Sequence, residues 1–431
     1  MRRGWIGMVA LLLAVAACTG GGGKAPGPAG SVGITEVVLW HGYEGGVEGK
    51  AIDDLVREWN QTHFTIHVTA RYYGSSDAGL QRVQAAIRAG DYPDVAYLYG
   101  SWAAEMATNP KTVVLDGLVA SNPGVVWEDF WPAARQALTV DGRIVGIPAL
   151  VDNLAIVYNK RLFDRAGVGH PTARWTWDDF RAAARALTVP ARGQYGWTFP
   201  VRSGESTVWQ WEALLWEAGG DVLDANGRHA AFASPAGVRA LALLRDMARV
   251  DRSVFLDATG EKMEGLFDDG KVGMIVTGPW DLAAFSHVDY GVQVMPTFGD
   301  QANHQTISGP DAWVLLDNGP ARRQAAFQFV SWLTATQQDM AYALATGHLP
   351  LRVSETRLGE FRRYAAKTRG IATFVANEQN AVKARPATPL YPKISAAIEG
   401  AISAALLDGA DPRRALRRAQ RQADGVIAAG G

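Results

Sequence analysis

The sequence predicts an α/β protein, and three observations carry that expectation. The start of the body alternates short apolar runs with amphipathic stretches in a strand, helix, strand, helix, strand order. The chain of 431 residues is long enough for two or three domains with ample cores. Its 48% hydrophobic and 20% charged residues are the balance of a globular protein.

Taken in order, residues 1–17 read as an export signal. Arg2 and Arg3 supply the positive end, and Trp5 to Ala17 is an uncharged, mostly apolar run. A bilayer crossing needs about 20 apolar residues, so this run is too short to span. It ends in VAAC at 15–18, which resembles the bacterial lipobox; Cys18 is then the lipidation site and new N-terminus. Residues 18–33 are rich in Gly and Pro and form a flexible tether. The expected location is the outer face of the cytoplasmic membrane, held by lipid alone.

In the body, Val37 to Trp40 is a short buried-strand run, and Val47, Ile52, Leu55, Val56 and Trp59 mark one face of a helix. Phe64 to Tyr72 alternates as a strand. Leu80, Val83 and Ile87 stripe a second helix that stops at Gly90, and Val95 to Leu98 is a third strand. This rhythm calls for a largely parallel sheet. Thr176 and Asp179 form a capping-box pair ahead of Phe180, Ala184 and Leu187. Ser234 and Pro235 open a helix with Val238, Leu241, Leu244 and Ala248 inward. Strands return at Val272–Thr277, Gly291–Met295 and Trp313–Leu316, and Asp411 with Pro412 starts a final helix.

Charge and composition exclude several functions. Lys+Arg total 42 against 43 Asp+Glu, a formal charge of −1, which leaves no electrostatic footprint for nucleic acid. A single cysteine, Cys18, excludes an internal disulfide and a cysteine-based zinc site. No GxSxG, HExxH, P-loop or GxGxxG motif occurs. His63 and His67 have a metal-pair spacing, but on a strand they lie about 13 Å apart and read as solvated. Asp152, Glu205 and Glu212 are carboxylates of the kind a glycosidase pairs, yet no motif singles them out. No catalytic residue, metal or cofactor is expected.

A repeated texture points to binding instead. Trp (15) outnumbers Tyr (12) and Phe (14), and aromatics recur beside Gly, Pro and a short polar residue. The segments are WHGYE at 40–44, YLYGSW at 97–102, VWQWE at 208–212, TGPWD at 277–281 and SGPDAW at 308–313. Polyols call for this mixture: C–H faces lie on rings, hydroxyls meet short polar groups, and Gly admits backbone amides. The candidates are Tyr43, Glu44, Tyr99, Ser101, Trp102, Trp209, Trp211, Gly278, Trp280, Ser308, Gly309 and Asp311, with Asp152 and Asn153 completing a hydroxyl-seeking cleft. Any one of these tryptophans, taken alone, is more often core.

The segment GKVGMIVTGPWD at 270–281 is similar to the GKxAMxxxGPW block of family 1 extracellular solute-binding proteins of ATP-binding cassette importers. This family includes maltose-, trehalose- and glycerol-3-phosphate-binding proteins. VYNKRLF at 157–163, with AG at 166–167 and WTWDDF at 175–180, resembles its YNKDLF…AG…TWDEF block. LLWEAGGD at 214–221 and YGVQVMPTF at 290–298 match two more, and TGHLPLR at 346–352 resembles TGYLPxR. The resemblance runs in family order from about residue 36 to the end. It implies a two-lobe periplasmic-binding-protein fold with three hinge crossovers, near Ile147–Asp152, Val292–Thr297 and Thr334, and a ligand cleft between the lobes. Lobe 1 would be 34–147 plus 295–334, and lobe 2 148–294 plus 335–431.

The resemblance also implies the partners: a small carbohydrate or polyol ligand and the permease subunits of an importer, with the receptor itself a monomer. Arg385 falls where some members place a ligand-contacting arginine. Gly100 stands where the glycerol-phosphate branch has a ligand carboxylate, and residues 97–106 look more like the sugar binders. A carbohydrate, di- or oligosaccharide, is therefore the expected ligand. The runner-up is glycerol-3-phosphate or a glycerophosphodiester. An exported glycoside-active enzyme and a lipid-anchored adhesin are the readings from other classes.

Overall fold

The computed structural model describes residues 33–43, 45–74, 76–299 and 303–430. The signal, Cys18, most of the tether and Glu44 lie outside the described residues. Two five-stranded sheets organise the chain. The first has the order β2-β1-β3-β12-β6, formed by β1 Thr35–His41, β2 Ile66–Tyr72, β3 Val95–Tyr99, β6 Ile147–Leu150 and β12 Asp311–Leu315. The second has the order β11-β7-β10-β8-β9, from β7 Ala155–Asn159, β8 Tyr195–Pro200, β9 Val254–Asp257, β10 Val272–Thr277 and β11 Tyr290–Gln293. A short hairpin of β4 Thr139–Val140 and β5 Arg143–Ile144 precedes β6.

Parallel pairing joins β1 to β2 and β3, and β8 to β9 and β10. Each sheet also takes antiparallel strands: β12 runs against β3 and β6, and β7 against β10 and β11. The expected largely parallel sheet is therefore two mixed sheets. Each receives strands from distant parts of the chain, whose direction no local pattern encodes.

Local signals acted where the sequence carried them. The helix Gly46–Thr62 buries Ile52, Leu55, Val56 and Trp59. Gly79–Ala89 ends at Gly90 in the left-handed region, φ 76°, where a side chain would be strained. Thr176 and Asp179 close a reciprocal capping box on Trp177–Leu187. Ser234 caps Pro235–Arg245, and Asp411 accepts from the Arg414 amide at the start of Pro412–Gly430.

Two local expectations are corrected. His63 is not on a strand: it caps the helix Gly46–Thr62 and stacks on Trp59 at 3.6 Å between ring centroids. Strand β2 begins at Ile66, leaving Phe64 exposed. Sheet membership also differs from the expected lobe limits. Met295 and Ile307, expected with lobe 1, pack in the second-sheet core with Trp177 and Trp211. Helix Thr336–Thr346, expected with lobe 2, packs against Gly46–Thr62.

Candidate functional site

Strand ends from both sheets converge on one cavity of about 350 Å³, near the lower end of the roughly 300–1,000 Å³ usual for small-molecule sites. The first sheet contributes Tyr97 and Tyr99 from β3, Leu150 at the end of β6, and Asp311 at the start of β12. Gly42, Tyr43 and Glu48 follow β1, and Ser76 follows β2. From the second-sheet side come Glu205, Ser206 and Trp209 on the helix Glu205–Glu217, Trp280 after β10, and Arg385 from an irregular segment. Asp152 and Gly309 lie beyond β6 and before β12, and His348 follows Thr336–Thr346.

Two indoles form the aromatic wall. Trp209 and Trp280 are stacked with centroids 5.9 Å apart and planes 27° apart. Glycine is required on both sides of them. A Cβ on Gly278 would lie 1.7 Å from the Trp280 ring, and one on Gly309 2.8 Å from Trp209. Tyr43 and Tyr97 approach to 4.8 Å on the opposite wall. The phenols of Tyr43, Tyr97 and Tyr99 are pushed up by burial and stay neutral.

Three polar clusters face the cavity. In the first, His348 Nδ1 donates to Asp152 Oδ2 at 2.5 Å and Nε2 to Glu48 Oε1 at 2.9 Å. Burial alone would lower the pKa of His348, but Asp152 and Glu48 overcome it and push it up to about 10. The imidazolium lies stacked against Trp280 at 6.1 Å and Tyr342 at 5.8 Å between ring centroids. In the second, Tyr97 donates to Asp311 Oδ2 at 2.5 Å, and burial lifts the Asp311 carboxyl to about 7.

In the third cluster Arg385 donates to Glu205 Oε1 at 2.7 Å, both side chains buried. Ser395 donates to Glu205 Oε2 at 2.6 Å. The Tyr391 hydroxyl lies 2.9 Å from Glu205 and 3.0 Å from Glu212. One phenolic proton cannot serve both carboxyls. Burial and the neighbouring Glu205 push the Glu212 pKa well up, which favours its protonated form.

Of the residues singled out from sequence, Tyr43, Tyr99, Asp152, Trp209, Trp280, Gly309, Asp311 and Arg385 line this cavity. Six others do not. Trp211 is fully buried in the second-sheet core, and Trp102 packs with Leu80, Leu98 and Leu138 under the first sheet. Asn153 binds the Phe374 carbonyl, Glu378 and Asn377, tying the segment after β6 to the helix Ile371–Asn377. Gly278 acts through the close approach of Trp280. Ser101 and Ser308 line a separate small crevice beside Arg385.

Sequence reading missed Glu48, Tyr97 and His348 as cavity residues. His348 had a signal: it replaces the tyrosine of the TGYLPxR pattern. Glu48 had none, being one acidic residue in a helix first turn. Among the described residues no group of three or more metal-ligating side chains occurs, and no helix is long and apolar enough to cross a membrane.

Two mixed sheets that share one aromatic cleft at their strand ends define a small-solute-binding protein of two lobes. Residues 44–340, more than half of the chain, match the family described as bacterial extracellular solute-binding protein, and the chain belongs to that family. It is similar to the sn-glycerol-3-phosphate-binding periplasmic protein UgpB of Pectobacterium atrosepticum, 23% identical over 355 residues that cover 79% of each chain. The cyclic alpha-maltosyl-1,6-maltose binding protein from Arthrobacter globiformis is 27% identical, with a TM-score of 0.76 over 92% of this chain and 99% of that one. UgpB from Mycobacterium tuberculosis, solved in complex with glycerophosphocholine, shares the fold at a TM-score of 0.81 and 19% identity, covering 92% of this chain and 100% of its own. A solute-binding role and an extracellular family follow from this membership.

Proposed function

We propose that the protein is a lipid-anchored extracytoplasmic receptor, without catalytic activity, that captures a di- or oligosaccharide by lobe closure and delivers it to the permease of an ATP-binding cassette importer. The observation that carries the carbohydrate reading is the pairing of Arg385 with Glu205 inside a cleft walled by Trp209 and Trp280. A phosphate needs an uncompensated cation, and this guanidinium already has its counter-charge. Its remaining donors, with the carboxylates and the indoles, suit neutral hydroxyls and C–H faces. The maltose-type ligand named for the Arthrobacter protein supports the same reading.

The glycerol-3-phosphate named for the Pectobacterium relative and the glycerophosphocholine of the Mycobacterium complex favour a second reading, a glycerophosphodiester ligand. Hinge crossings near Ile147–Asp152, Val292–Thr297 and Thr334, and Cys18 as the acylated residue, belong to the proposal. Calorimetry of the purified protein with a panel of oligosaccharides and glycerophosphodiesters tests it. One-to-one binding of an unchanged sugar is expected. Hydrolysis of the sugar, or binding confined to phosphodiesters, overturns it.

A further inference from the structure

The cleft holds more carboxyl groups than cations. Among the described residues its lining carries four carboxyl groups, Glu48, Asp152, Glu205 and Asp311, against two cations, His348 and Arg385. Both cations are engaged within the chain. Arg385 forms a buried pair with Glu205, and His348 donates one N–H to Asp152 and the other to Glu48. The Arg385 pair matches one cation with one carboxyl, whereas the single imidazolium of His348 is shared by two carboxyl groups. Asp311 accepts a neutral phenol, that of Tyr97, and has no cation of its own.

Burial penalises the ionised form of Asp311, and a cation placed beside that carboxyl would offset the penalty. The aromatic wall narrows what that cation is. Trp209 packs close to Gly309, two residues before Asp311, and both indoles and the Asp311 carboxyl line the same cavity. Negative ring faces beside a carboxylate attract an organic cation, whose bulk and weak hydration suit an apolar wall. A neutral sugar would use the rings and leave Asp311 without a counter-charge.

We propose that the carbohydrate or polyol captured by this cleft carries a cationic nitrogen, a protonated amine or a quaternary ammonium, seated against Trp209 and Trp280 with Asp311 as its counter-charge. This rests on the solute-receptor reading above and specifies its ligand class. The roles within the cleft then divide: Arg385 and Glu205 address hydroxyls, while Asp311 and the indoles discriminate by charge.

Matched probes test it on the purified protein by calorimetry at neutral pH: glucosamine against glucose and N-acetylglucosamine, and choline against its uncharged isostere 3,3-dimethylbutan-1-ol. In each set the cationic member is expected to bind about tenfold more tightly. In Asp311→Asn, which keeps an acceptor for the Tyr97 hydroxyl, that ratio should fall to about twofold or less. Trp280→Leu provides a second variant in which the ratio drops while the Asp311 environment is kept. Equal affinity within every set, with sugars still bound, overturns the cation proposal and leaves the receptor reading standing. Failure of every probe alongside tight binding of a phosphodiester that lacks a cationic nitrogen overturns the carbohydrate reading and the cation proposal together.

Discussion

The imidazole of His348 bridges two carboxylates from different elements, with Nδ1 2.5 Å from Asp152 and Nε2 2.9 Å from Glu48. Glu48 starts the helix that follows β1, Asp152 follows β6, and the ring packs on Trp280 after β10. One side chain therefore ties three parts of the cleft, and its charge state controls whether they hold together.

That charge state gives a sign to the pH dependence of stability. The pKa of His348 rises from about 6.5 in the unfolded chain to about 10 in the folded one. The folded form thus binds the proton more tightly. The contribution is complete below pH ~6.5 and is lost as pH rises toward 10. Chemical denaturation between pH 6 and 10 should show this decline in the parent. In His348→Gln the decline should flatten, with stability at pH 6 lower by about 3–5 kcal/mol because Asp152 loses its buried partner. An unchanged slope in the variant would assign the pH dependence elsewhere.

Trp280 and Trp211 should separate binding from packing. Trp280→Ala removes one face of the aromatic wall and should weaken ligand binding by about 1–3 kcal/mol, by analogy with other stacking platforms. Trp211 is fully buried in the second-sheet core, so Trp211→Ala should lower stability by about 3–5 kcal/mol. Its affinity, measured where the variant is folded, should stay within about twofold of the parent. Paired calorimetry and thermal unfolding decide; loss of affinity in the Trp211 variant alone would reverse the assignment.

Arg385→Gln should act on both stability and binding. It leaves Glu205 buried with only the hydroxyls of Tyr391 and Ser395 as partners, at a cost of about 3–5 kcal/mol. The double variant Arg385→Gln with Glu205→Gln should recover much of that loss. For a ligand without phosphate, parent affinity should change little between low and high salt. A steep salt slope, with binding abolished in Arg385→Gln, would instead support a phosphodiester ligand.

If the proposed acylation of Cys18 anchors the protein, Cys18→Ser should release it from the membrane fraction while leaving ligand binding intact. Fractionation followed by a salt wash measures it. Retention of the variant through the wash would refute the lipoprotein assignment.

The elements that the sequence announced were those with a local cause. The strand β10 at Val272–Thr277 was read at its true limits because a β-branched run is bounded by Gly270 and Gly278. The capping box at Thr176 and the glycine stop at Gly90 work through neighbours in the chain, and both formed. Strands β7, β8 and β9 were not announced. β7 is buried along its whole length and β8 along nearly all of it, so the two-residue alternation that marks a half-exposed strand is missing. The aromatic segments of the cleft were visible as texture, but texture does not say which ring turns inward. Trp209 and Trp211 lie two residues apart on one helix, about 200° around its axis, and so face the cavity and the core respectively.

By itself, then, the sequence determined the α/β class, the family pattern, the caps and stops, and the aromatic composition of a site, since each depends on residues near one another in the chain. Only the tertiary structure decided the mixed strand order, the cavity role of Glu48 and His348, and the engagement of Arg385 by Glu205. The last two outcomes hang on contacts between residues 180 to 300 positions apart. Their energies come from burial and charge in a shared cleft, which no stretch of the chain contains alone.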